Sequence, residues 1–149
     1  MIVRPVDPAD APALAAVHAS GFQSPWSAED LARFVADGVN FALAAESDSG
    51  MIAGFILCRV IAGEAEVLTL AVAPAHRRQG VAARLLAEAM ARASLHAQTM
   101  FLEVAADNPG AISLYKGCGF ATAGRRAGYY GRGHGGSVDA LVMRRALNS

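Results

Sequence analysis

Glu103 lies in Phe101-Leu-Glu-Val-Ala105, where Leu102 and Val104 fall on one strand face and Phe101, Glu103 and Ala105 on the other. A carboxylate projecting from so apolar a strand is a candidate general base near neutral pH. Tyr115, on the helix that follows, is a candidate proton donor. The plainer alternative is a strand-end glutamate facing water and a tyrosine at the rim of the core. Glu64 and Glu66 compete for the role of base, since they share one face of the preceding strand at a spacing of two, and for them a solvated face is the ordinary reading.

A second group surrounds Arg77-Arg-Gln-Gly80. A strand that passes through a glycine turn into a helix gathers free backbone N–H groups and the positive end of the helix dipole at one place, where phosphates bind. Arg77 and Arg78 add charge to it; the alternative is a tight turn carrying two solvated arginines. Neither a GxGxxG fingerprint nor a GxxxxGK[ST] loop is present, which disfavours ordinary dinucleotide and nucleoside triphosphate sites. His18, His76, His96 and His134 have no metal-ligand spacing, and Cys58 and Cys118 no metal or redox spacing, so no metal is expected.

These groups need a scaffold, and the chain describes one. Residues 2–6 read as a strand. Asp7-Pro8-Ala9-Asp10 starts a helix running to about Ser20, and Ser27 with Asp30 caps a second helix carrying Leu31, Phe34 and Val35. Strands follow at 41–46, 51–60 and 64–72, then a long alanine-rich helix from about Val81 to Leu95, a strand at 100–105, and a helix capped by Asn108 with Pro109 in its first turn. Segments 120–123 and 139–144 read as the last strands, separated by the glycine-dense stretch 128–136. This is a mixed α/β pattern with about seven strands, organised as a single domain over 1–149.

The chain has 149 residues, with 13 basic and 13 acidic side chains. A neutral sum disfavours a general nucleic-acid binder, whose affinity comes from neutralising several phosphates. The distribution is uneven, with Lys116, Arg125, Arg126, Arg132, Arg144 and Arg145 set against Asp139 alone after Gly110. The 54% hydrophobic content is inflated by alanine, and no apolar run approaches the roughly 18 residues of a membrane span. The expectation is a cytoplasmic protein, monomeric or weakly dimeric, with neither nucleic acid nor membrane as partner.

Taken together, Arg77-Arg-Gln-Gly-Val-Ala82, the strand Leu68 to Val72 before it, and Asn108 with Leu114-Tyr-Lys-Gly-Cys-Gly-Phe120 after it resemble the GNAT N-acetyltransferases over about residues 2–145. The first of these is similar to the family's R/Q-x-x-G-x-G/A acetyl-CoA motif. Pro25-Trp26-Ser27, the strand containing Glu64, Phe101-Leu-Glu-Val104, Arg125-Arg126, Tyr129-Tyr130 and Asp139-Ala140 further resemble its bacterial RimI-type branch, the ribosomal-protein-alanine N-acetyltransferases. The chain departs from the pattern at Ala82, where a second glycine is usual, at Val138, where an acid often stands, and in a longer, glycine-richer loop.

The resemblance implies a seven-stranded, mostly antiparallel sheet with helices on both faces and a splay between its two central strands. It implies acetyl-CoA in that splay, with the pantetheine on the backbone of Leu70, Ala71 and Val72 and on Asn108. The pyrophosphate would rest on the loop and helix start formed by Arg77, Arg78, Gln79, Gly80, Val81, Ala82 and Ala83. Glu103 becomes the base and Tyr115 the acid. Trp26, Glu64, Tyr129 and Tyr130 line the place of the acceptor, the N-terminal amine of a protein such as a ribosomal protein; the alternative acceptors are a small-molecule amine or a lysine side chain.

Overall fold

The computed structural model describes residues 1–22, 24–132 and 136–147. Its strands are β1 (Ile2–Pro5), β2 (Asn40–Glu46), β3 (Ile52–Ile61), β4 (Glu64–Val72), β5 (Thr99–Ala105), β6 (Ala121–Arg132) and β7 (Gly136–Ala146); its helices are α1 (Ala11–Ala19), α2 (Ala28–Ala36), α3 (Val81–Ala93) and α4 (Pro109–Gly117). The strands form one sheet in the order β1-β2-β3-β4-β5-β7-β6. Every neighbouring pair is antiparallel except β4 and β5, joined through α3 as a parallel crossover. The expected mixed α/β architecture, with helices on both faces, is what the chain adopts.

Local chemistry sets the helix starts. Asp7 and Asp10 form the reciprocal capping box, around a short 3-10 turn that leads into α1. At α2 only half of such a box forms. Ser27 Oγ accepts from the Asp30 N–H at 3.1 Å, while the Asp30 carboxylate turns to Arg33. Asn108 Oδ1 accepts from the Ala111 N–H at 3.2 Å, with Pro109 next in sequence, as its cap reading anticipates.

Two departures from sequence expectation bear on the site. β4 contains a bulge: Thr69 pairs with Leu57 and Val67 with Cys58, which leaves Leu68 extra. Ala65 and Val67 therefore face α3 together with Leu70 and Val72, whereas Ala71 packs with Leu14, Leu31 and Phe55 beneath α1 and α2. Both faces of this strand are covered beyond the bulge, so strict alternation of burial conceals it. The second departure is the length of the last hairpin. β6 and β7 continue through most of the 128–136 stretch, with Tyr130 opposite Val138 and Arg132 opposite Gly136. The pairing slips between Arg126 and Tyr130, where Asp139 takes both the Arg125 guanidinium and the Gly128 N–H.

β3 and β4 also approach closely. A Cβ on Gly54 would stand 2.8 Å from the Ala71 carbonyl, so glycine is what lets β4 lie where it does opposite Val72.

Candidate active site

β4 and β5 pair only at Glu64–Thr99, Ala65–Met100 and Glu66–Phe101. From Val67 to Val72 the β5-facing edge of β4 has no ladder partner among the described residues, so its N–H and C=O groups face a wedge between two parallel strands. The expected splay is present. Beside its closed end lies a cleft of about 420 Å³, lined among others by Arg59, Ile61, Glu64, Glu66, Phe101, Glu103 and Val142. Sheet register explains the gathering, because Glu66 pairs with Phe101 and Glu103 with Val142. Glu66 is joined to Arg59 at 2.7 Å, while the Glu64 side of the cleft opens to solvent.

Glu103 is set deeper. Its side chain is 24% exposed, and Oε1 accepts from Arg126 Nη1 at 2.7 Å. Oε2 is shut from solvent with no hydrogen-bond partner among the described residues. A buried carboxylate oxygen without a donor costs free energy. Tyr115 lies on the other side of the sheet, where it packs against the core beneath α3 and meets Phe120 edge-on at 6.1 Å between centroids. The candidate base and acid thus flank the splay from opposite faces. Burial pushes the Cys58 thiol up to about 12, so at neutral pH it is no nucleophile.

The loop before α3 has the main-chain form of an anion cradle. Arg78 and Gly80 both adopt left-handed φ, at 62° and 77°, and α3 starts with no side-chain cap. The first-turn N–H groups at Val81, Ala82 and Ala83 are therefore left to other acceptors. A Cβ on Gly80 would meet nothing within 4 Å; its need is conformational. These features fit a pyrophosphate. The Arg77 guanidinium does not turn to the cradle, however: Nε donates to the Val72 carbonyl at 3.2 Å and Nη2 to the Ser20 carbonyl at 3.3 Å, tying the end of β4 to the end of α1. Gln79 Nε2 reaches back to the Ala75 carbonyl at 3.4 Å.

On the α1 side the structure assembles a buried group that sequence reasoning missed. His18, 2% exposed, lies between the rings of Phe22 and Trp26 at 4.0 and 5.1 Å. Its Nδ1 accepts the Trp26 backbone N–H at 3.1 Å, which leaves Nε2–H to donate to Thr69 Oγ1, also at 3.1 Å. Burial lowers the imidazole's affinity for protons, consistent with that neutral tautomer. Thr69 follows the bulge in β4, so His18 ties the loop before α2 to the strand that borders the splay. The only sequence trace was its place beside Leu14 and Val17 on one helical face.

Trp26 is therefore packed against His18 and Phe34 and does not line the cleft. Tyr129, exposed on β6, has its ring 3.9 Å from the Arg126 guanidinium carbon. The side chain of Tyr130, and residues 133–135 including His134, lie outside what is described. Among the described residues no group of three His, Cys, Asp or Glu side chains could hold a metal ion.

Comparison with known proteins agrees with this architecture. The crystal structure of the ribosomal-protein-S18-alanine N-acetyltransferase from Escherichia coli superposes with a TM-score of 0.91 at 27% identity, over 99% of this chain and 94% of that one. In sequence, the [ribosomal protein bS18]-alanine N-acetyltransferase of Escherichia coli K12 is 31% identical across 95% of this chain and 94% of its own length. The uncharacterized protein ML0378 of Mycobacterium leprae is 35% identical across 97% of the chain, which spans only 40% of that relative's length. Residues 11–120 match the acetyltransferase (GNAT) family model. A sheet splayed at its one parallel pair, an anion cradle opening α3 and a family match over most of the length place this chain in the GNAT acetyltransferase family, as an N-acyltransferase.

Proposed function

We propose that the chain transfers the acetyl group of acetyl-CoA to the N-terminal amine of a protein, a ribosomal protein in the cytoplasm, with Glu103 as base and Tyr115 as acid. The observation that carries this reading is the part-buried Glu103 carboxylate lining a cleft at the root of the β4–β5 splay. The coarser part, acetyl transfer, comes with the family. The acceptor class is drawn from what the relatives of known activity act on, together with the chemistry of the amine.

Acetyl-CoA supplies the acetyl thioester. The N–H groups at Arg78 to Ala83 hold its pyrophosphate, and the open edge of β4 at Leu70 to Val72 pairs with its pantetheine amides, joined by the Asn108 side-chain amide. A backbone N–H near Val72 donates to the thioester oxygen as charge builds on it. The acceptor nitrogen bonds to the acetyl carbon as the carbon–sulfur bond breaks. Glu103 takes the proton that the nitrogen loses, directly or through one water, and Tyr115 gives a proton to the departing sulfur. The products are the N-acetyl chain and the free thiol.

The amine's own acidity favours an α-amine. At pH 7 an N-terminal amine, with a pKa of about 7.7–8.0, gives up roughly 1 kcal/mol to become neutral, against more than about 4 for lysine at about 10.4. One partly exposed carboxylate is a modest base, sufficient for the first. The second reading, a polyamine or other small amine, draws on the acidity of Glu64 and Glu66 in the same cleft. Arg59 offsets one of those charges.

The deciding experiment follows thiol release from acetyl-CoA across free-N-terminus peptides, including one beginning with alanine, lysine peptides whose N-termini are blocked, and polyamines. Turnover with the N-terminal amines is expected. Reaction with polyamines alone overturns the reading.

A further inference from the structure

Glu103 is held on one side only, and the group that holds it comes from two strands away. Glu103 pairs with Val142 on β7, and Arg126 on β6 pairs with Ala140, so the guanidinium reaches diagonally across β7 over the small Ala140 side chain. Nη1 donates to Oε1 at 2.7 Å. The other carboxylate oxygen has no partner among the described residues. Arg125, its neighbour in sequence, is taken by Asp139 at 2.5 Å, so the two arginines have separate tasks. The Arg126 guanidinium is itself fixed by the Tyr129 ring at 3.9 Å, within the range of a cation–π contact.

A carboxylate turns about its last torsion in a broad, two-fold well and presents either oxygen. An arginine on one oxygen removes that freedom. We propose that Arg126 is a positioning residue for the acetyl transfer: its hydrogen bond to Oε1 fixes the direction of the Glu103 carboxylate at the wall of the cleft, and its contact with Tyr129 makes that placement depend on the β6–β7 hairpin. This rests on the reading of Glu103 as base. It adds that the hairpin does more than flank the cleft, because a shift of Tyr129 is felt at the base through one guanidinium.

The test uses the intact protein and the peptide with a free N-terminal alanine, comparing wild type, Arg126→Met, Arg126→Lys, Glu103→Gln and the double variant Glu103→Gln/Arg126→Met. Arg126→Met is expected to lower kcat by about 10- to 100-fold, leaving KM for acetyl-CoA within about twofold. Arg126→Lys, or millimolar guanidinium added to Arg126→Met, restores part of the loss, which a fold defect would not allow. In the Glu103→Gln background the arginine substitution changes kcat by less than about twofold, because its effect runs through the carboxylate. Arg126→Met turning over like wild type while Glu103→Gln is inactive overturns this proposal and leaves the base intact. Additive losses in the double variant overturn it as well. A fully active Glu103→Gln, or no turnover of the alanine peptide, overturns both readings together.

Discussion

The two faces of the β4–β5 splay are built from different materials. Beneath α3 the face is aliphatic, with Val67, Leu70 and Val72 against Val81, Leu85 and Leu86, and the groups we propose for the cofactor are main-chain N–H and C=O groups at the open strand edge and the start of α3. The opposite face is made of polar and aromatic side chains drawn from many elements: His18 from α1, Arg59 from β3, Glu66 and Thr69 from β4, Glu103 from β5, Arg126 from β6. A cofactor shared by a whole family can be held by backbone, whose geometry survives side-chain change. An acceptor that differs between members has to be met by side chains. Substitutions on the two faces should therefore separate cofactor affinity from turnover.

The sharpest separation is expected at Glu103. Glu103→Gln keeps the shape and removes the carboxylate proposed as base, so kcat should fall by about 10²- to 10⁴-fold, with acetyl-CoA affinity by calorimetry nearly unchanged. Comparable losses of cofactor affinity in Glu103→Gln would erase the distinction between the faces. Tyr115→Phe, on the α3 side itself, should also cut turnover far more than cofactor affinity, because it removes the proposed acid and leaves the main-chain groups in place; unchanged turnover would remove it as the acid.

His18 tests whether the side-chain face depends on its buried support. His18→Ala strips two stacked rings of their partner and leaves the Thr69 hydroxyl and the Trp26 N–H short of a bond, at a cost of about 2–4 kcal/mol in urea denaturation. The same site gives a pH dependence. Burial holds the folded-state pKa of His18 below its ordinary value of about 6.5, so between those values the unfolded chain binds more protons. The stability tied to neutral His18 is complete above pH ~6.5 and is lost as pH falls through the folded-state value. His18→Gln, which cannot titrate, should be less stable than wild type at pH 7.5 and lose less on acidification; parallel pH curves for the two would show that His18 does not titrate against folding.

What was legible in the sequence follows the same division. The backbone half of the site is written in local signals: Gly80 before an alanine-rich helix, Asn108 with Pro109, a strand ended near Pro74. Each needs only neighbours in sequence to act, and each stands where its local chemistry puts it. The side-chain half depends on pairing across the sheet. Nothing near Arg126 in sequence says that it reaches Glu103, which follows from the register β5–β7–β6. The bulge at Leu68 left the period-two pattern of burial untouched, because α1 and α3 cover the strand from both sides. The glycine-rich stretch reads as loop by composition, yet strand pairing carries β6 and β7 well into it, since a two-stranded ladder satisfies backbone groups whatever the side chains.

The smallest effects belong to the cradle, where only backbone conformation is at stake. Gly80 has room for a methyl group but holds φ at 77°, so Gly80→Ala costs strain without a clash, about 1 kcal/mol. If the loop relaxes to relieve it, the N–H groups leave their common focus, and KM for acetyl-CoA should rise about fivefold while KM for the acceptor stays constant. Arg78 at φ 62° is the complementary case, a non-glycine residue already in the left-handed region. Arg78→Gly removes that strain but adds glycine's freedom to the unfolded chain, so without cofactor the gain in stability is held below about 1 kcal/mol. Its cofactor affinity falls if the guanidinium also reaches the pyrophosphate, and stays level if only the main chain does. The pair thus reads charge and backbone separately: loss of affinity in Gly80→Ala with none in Arg78→Gly assigns the cradle to its N–H groups, and the reverse assigns it to charge.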